Sequence, residues 1–124
     1  MAVQNPTIEI FSGDTKRLNY TVRDANGAAI DITGGTFRWG LSKLSQEALG
    51  EGKVKPQGDA LVTKTLGLGI TLTAPTLGQL RVTLDPADTA SLKGDFYHEL
   101  EMVLAGATST VAFGRIDIKK DLLE

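Results

Sequence analysis

Along most of the chain, apolar and polar residues alternate with a period of two rather than 3.6. That is the spacing of strands with one buried and one wet face. In KRLNYTVRD, Leu18, Tyr20 and Val22 alternate with Arg17, Asn19, Thr21 and Arg23. TFRWGLS places Phe37, Trp39 and Leu41 on one face, with Trp39 the expected anchor of the core. GQLRVTLD repeats the pattern with Leu80, Val82 and Leu84 inward, and ALVTKTL and GITLT read as two short strands joined by Gly67-Leu68-Gly69. FYHELEMVLAG puts Phe96, His98, Leu100, Met102 and Leu104 on one face and Tyr97, Glu99, Glu101 and Val103 on the other. It pairs with STVAFGRIDI across the AGAT turn as a hairpin. Val111 and Phe113 share one phase there and Ile116 and Ile118 the other, which predicts a bulge near Gly114.

Breaks in the pattern mark the turns. Asn26-Gly27 tolerates positive φ, and Gly34-Gly35 supplies a second interruption. The stretch from Gln46 to Asp59, with three glycines and a proline, reads as a flexible connection that begins with a helical turn at Ser45 to Leu49. In DPADTASLKG, Asp85 is placed to cap a turn begun by Pro86, with Gly94 as the exit, giving one short helical turn near residues 85–92. These features predict an all-β chain, a single antiparallel immunoglobulin-like β-sandwich over residues 1–124. A small closed barrel is the alternative.

Composition narrows the function classes. The 124 residues suffice for one domain with a real core. A net charge of -2 leaves no basic excess to neutralise phosphates, so neither nucleic acid nor an anionic membrane is the expected partner. Without cysteine there is no disulfide framework, thiolate metal site or thiol nucleophile. The opening MAVQNPTIEIFSGD lacks a basic leader with an apolar run, and no later segment reaches membrane-span length. Synthesis and use, or assembly, in the cytoplasm are therefore expected.

Candidate chemistry is sparse. His98 is the only histidine, and its strand phase opposes that of Glu99 and Glu101, so the three do not converge as an acid/base or zinc site. Asp24-Ala25-Asn26-Gly27 lacks the glycine spacing and terminal glutamate of a calcium loop and reads as a turn. Gly67-Leu68-Gly69 is a connector and not a phosphate loop, since neither the further glycine and lysine nor a long helix follows. There is no Gly-x-Ser-x-Gly elbow, and Lys53 and Lys55 read as solvating charges. No catalytic residue, metal ligand or cofactor is expected. The charged wet faces, Arg17 and Arg23 on one strand and Glu99 and Glu101 on another, read as ordinary solvated faces, with pairing to a protein partner as the alternative; Tyr97 is the further candidate contact. Tyr97 is the aromatic left on the outward phase, placed either to touch a partner or to tie down a corner through its hydroxyl.

FSGDTKRLNYTVRDANGAAIDITGGTFRWGL, then GITLT, then GQLRVTLDPADTASLKGDFYHELEMVLAGATSTVAFGRIDI resembles the small β-sandwich domains of phage and prophage tail structural proteins. It is most similar to the N-terminal domain of phage baseplate upper proteins. The resemblance rests on Gly13-Asp14-Thr15 before a strand, DANGAAIDITGG leading into an aromatic strand, and LKGDFYHELEM ahead of the closing TVAFGRIDI. It implies a non-enzymatic virion structural protein assembled in the bacterial cytoplasm, a tail, baseplate or adaptor subunit whose partners are other virion proteins and copies of itself. In baseplate upper proteins further regions that hold the receptor-binding protein follow such a domain, whereas this chain stops at Glu124. A ring, collar or adaptor subunit is therefore the expected form. A capsid decoration protein and a bacterial carbohydrate-binding β-sandwich are the alternatives. The latter requires an exposed aromatic platform, for which most of the aromatic residues are already claimed by the inward phase.

Overall fold

The computed structural model describes residues 3–123. Nine strands follow in chain order: β1 (Val3–Gln4), β2 (Ile8–Phe11), β3 (Lys16–Thr21), β4 (Thr36–Leu44), β5 (Pro56–Leu66), β6 (Gly69–Ala74), β7 (Gln79–Leu84), β8 (Gly94–Leu104) and β9 (Ala107–Lys119). Two single-turn helices, α1 (Gln46–Gly50) and α2 (Pro86–Thr89), and a 3-10 turn at Pro75–Leu77 interrupt them. The strands form one sheet in the order β1-β9-β8-β4-β5-β6-β7-β3, with β2 following β1 along β9. The chain is all-β.

The sheet is mixed, which corrects the purely antiparallel expectation. β1 and β2 run parallel to β9, and β5 touches β6 in parallel at Thr65 and Leu66. The N-terminal segment is laid along the free edge of β9 with no hairpin turn to impose the opposite direction. At the second place the chain coils tightly, with Gly67 at φ 85 and Gly69 at φ 102, and re-pairs with the residues it has just left.

The sheet curls so that its β3-β7 end lies over β4, β8 and β9, and one core fills the interior. Leu18 and Tyr20 of β3 and Leu80, Val82 and Leu84 of β7 meet Phe37, Trp39 and Leu41 of β4, Phe96, Leu100 and Met102 of β8, and Ile116 and Ile118 of β9. The inward phases read from the alternation of β3, β4, β7 and β8 are the buried ones. Ser45 caps α1 by accepting from Ala48 N, and Asp85 and Asp88 form a reciprocal capping box on α2.

Three local expectations are corrected. The β9 bulge lies at Val111, which has no opposite number because Leu100 faces Ala112 and Glu101 faces Thr110. This is ahead of Gly114, so Phe113 takes the outward phase. Residues 56–59 belong to β5 rather than to a connection, because Pro56 and Gln57 pair with Leu44 and Lys43. Finally, Gly94 opens β8 instead of ending α2, whose last helical residue is Thr89.

Phe96→Ala would empty a site that the core closes around, since Phe96 is buried among the β8 and β9 side chains. A loss of about 3–5 kcal/mol is expected in denaturant unfolding, with the slope unchanged.

Candidate functional site

His98 is fully buried, opposite Leu41 on β4 and Gly114 on β9. Trp39 Nε1 donates to the Tyr20 hydroxyl at 3.0 Å, and that hydroxyl lies 3.2 Å from His98 Nδ1. An indole N–H only donates, so the phenol oxygen accepts from Trp39, and its contact with Nδ1 is a hydrogen bond whose direction follows the imidazole tautomer. Nε2 points at Gly114, where an added Cβ would stand 3.0 Å from it and 3.1 Å from the backbone oxygen of Asn5. Nε2 and the Asn5 Oδ1 are both buried without a hydrogen-bond partner.

Burial pushes the His98 imidazole down to about 4 and raises the Tyr20 phenol well above its ordinary range, with the Trp39 hydrogen bond opposing the latter. Both groups are uncharged at neutral pH. Glu99 and Glu101 lie on the other side of the sheet, as their phase requires, and His98 has no surface from which a substrate could reach it. Among the described residues no three His, Asp or Glu side chains gather as a metal-binding group. The Asp24 carboxylate accepts from Asn26 N at 2.9 Å and Ala28 N at 3.0 Å, closing the turn that Gly27 completes at φ 84.

The outer face of the same strands carries a groove of about 240 Å³. Its centre is Gly40, which sits between Glu99 of β8 and Thr63 of β5 in the register. The far wall comes from an irregularity in β5. Leu41 pairs with Val62 and Lys43 with Gln57, so residues 58–61 stand opposite Ser42 alone and bow outward. Gly58, at φ 75, permits the bend, and Pro56, Gly58, Ala60 and Thr63 line the resulting side. The near side holds Tyr97, Glu99 and Glu101, with Arg38 at the rim 4.0 Å from Glu101.

Tyr97, placed by its phase either to touch a partner or to tie down a corner, has only 7% of its surface accessible. Its ring packs against Phe113, centroids 6.4 Å apart, and its hydroxyl donates to Glu99 Oε1 at 2.9 Å. Burial, then the hydrogen bond and charge of Glu99, raise this phenol above its ordinary range. The structure thus brings Tyr97, Glu99 and Glu101 together and leaves Arg17 and Arg23 elsewhere. Arg17 projects from β3, and Arg23, just beyond that strand, donates to the Gly27 carbonyl at 3.1 Å.

Sequence reasoning missed Gly40, Phe113, Asn5 and the Trp39-Tyr20-His98 line. Gly40 carried a readable signal, a glycine inside a strand pattern, which marks a bulge or a close approach. No protein-family model matches the chain, and comparison with curated proteins finds no match either.

The buried line makes the fold sensitive to pH. The folded-state pKa of His98 lies below its ordinary 6.5, so the unfolded chain binds the proton more readily. The stability contribution is complete above pH 6.5 and is lost as pH falls towards 4, by about 3 kcal/mol in all. Urea unfolding from pH 7 to 5 should show a steeper decline for the natural chain than for His98→Gln. Separately, Gly114→Ala should lower the urea midpoint by the equivalent of about 1–3 kcal/mol, because its methyl meets an enclosed ring and a backbone oxygen.

Proposed function

We propose that this chain is a non-enzymatic structural subunit of a phage or prophage virion, in a tail, baseplate or adaptor position. It is assembled in the bacterial cytoplasm and acts by contact with other virion proteins and with copies of itself. We read the curled sheet as a β-sandwich with immunoglobulin-like connections, its β9-β8-β4 part facing its β3-β7-β6 part. The role needs neither nucleic acid nor a membrane. No helix among the described residues is long and apolar enough to cross one.

The observation that carries this reading is the edge of β5. On the side away from β4, β5 meets a strand only at Thr65 and Leu66, so the backbone of residues 56–64 has no strand beside it. Leu61, Leu66 and Leu68 are exposed along this edge and the turn after it, by 49%, 39% and 76%. An edge lysine ordinarily deters a further strand, but Lys64 is withdrawn into an ion pair with Asp88 of α2 at 2.7 Å. α2 and the turn after it lie against residues 61–64, so the uncovered part of the edge is residues 56–60, and this stretch with the exposed leucines beside it suits a protein that joins neighbours through main-chain and side-chain contacts.

Carbohydrate binding is less well supported. The Tyr97 ring is covered, and among the described residues Phe11 is the one exposed aromatic, alone at the end of β2. A stacking platform needs more open aromatic surface than that.

Density-gradient fractionation of a lysate from the source, with mass spectrometry and gold-antibody electron microscopy of the particle band, tests the role. Label at the tail or tail tip is expected. Label spread over the head would reassign the chain to capsid decoration, and a chain found only in the soluble fraction beside intact particles would refute a virion role.

A further inference from the structure

The two outer faces of the curled sheet differ in charge. β3, β6 and β7 contain no acidic residue, and Arg17 and Arg81 stand on their outward positions. Arg81 is held by Asn19 Oδ1 at 3.0 Å, whereas Arg17 is exposed and has no acceptor among the described residues. On the opposite outer face, β8 presents Glu99 and Glu101 along one wall of the groove. Arg38 faces Glu101 only at 4.0 Å and is 71% exposed, so the groove keeps a negative excess.

Gly40 gives this groove its depth, and the fold does not demand a glycine there. Gly40 has no positive φ, and an added Cβ would meet nothing closer than the Ala60 Cβ at 3.9 Å and the Val62 oxygen at 4.0 Å. A glycine in the middle of a central strand weakens it, and here it leaves the floor of the groove open beneath Ala60 of the bowed β5. At about 240 Å³ the groove is smaller than the roughly 300–1,000 Å³ of small-molecule sites.

We propose that copies of this chain stack head to tail, the Arg17 side chain of one copy entering the groove over Gly40 of the next beside Glu99 and Glu101. This rests on the assembly reading above and names the surfaces it uses. The guanidinium matches the two carboxylates in charge, and its planar fork suits carboxylate oxygens already oriented by Tyr97. Because Arg17 and the groove lie on opposite outer faces, each contact leaves one of each unused. The association is therefore heterologous and closes as a ring or continues as a filament.

Sedimentation velocity of the full chain over a concentration series, at low and high salt, tests it. The natural chain should associate with rising concentration and less so in high salt. R17E and E101R should each weaken association by roughly tenfold or more, and the chain carrying both substitutions should recover it, because the exchanged charges then oppose one another across the contact with their signs reversed. A chain that is monomeric at every concentration overturns the proposal, even if it enters particles by accepting a foreign cationic side chain. Association indifferent to R17E also overturns it and transfers the contact to the β5 edge. Neither result changes where the chain is found in a particle gradient, so the virion reading stands or falls separately.

Discussion

The curled sheet depends on a line of three polar groups inside an apolar core. Trp39 on β4, Tyr20 on β3 and His98 on β8 are linked by hydrogen bonds of 3.0 and 3.2 Å across the interior, joining β3 to the adjacent strands β4 and β8, neither of which is its neighbour in the sheet. Without a disulfide, closure of the two ends must come from packing and from such contacts. Buried polar groups specify geometry more sharply than aliphatic ones, since a shift of either end would leave a donor or acceptor unpaired in a low-dielectric interior. The arrangement also determines how His98 behaves. It is neutral because its ring is enclosed, with Nδ1 bonded to the Tyr20 hydroxyl and the side-chain-free Gly114 of β9 leaving room for Nε2.

What the core holds still, the outer face uses. Strand alternation sends His98 inward and Tyr97, Glu99 and Glu101 outward from nearby positions of β8, so one strand serves both the closing contact and the groove. The groove is made by two departures from regular structure at adjacent points, the missing side chain of Gly40 and the outward bow of β5 opposite Ser42. Tyr97 becomes part of its wall because the bulge at Val111 turns Phe113 outward and gives the ring something to lie against. A small irregularity in β9 thus shapes a site on its neighbour.

The legible parts were those governed by local rules. The two short helices were readable from Ser45 and from Asp85-Pro86, because a cap and a restricted φ act within a few residues. The β8-β9 hairpin was readable because Ala105 and Gly106, both at positive φ, make a tight turn between two alternating runs. Residues 56–59 were missed because Gly58 and Pro56 look like loop residues, while their strand state depends on β4 lying beside them. The bulge was displaced for a similar reason. Val111, Ala112 and Gly114 all tolerate the inward face, so only the partner strand decides which residue is left over.

By itself the sequence determined which face of each strand is apolar, where the tight turns fall, and that no thiol chemistry or second histidine is present. These follow from side-chain period, glycine and proline geometry, and composition, all local properties. Only the tertiary structure decided which strands are neighbours, that β1 and β2 lie parallel along β9, that His98 is tied to Tyr20, and that Glu99 and Glu101 border a groove. The reason is that a backbone ladder is nearly indifferent to side-chain identity. Alternation states which way a residue points, but what it meets there is set by how the whole sheet curls to bury its core.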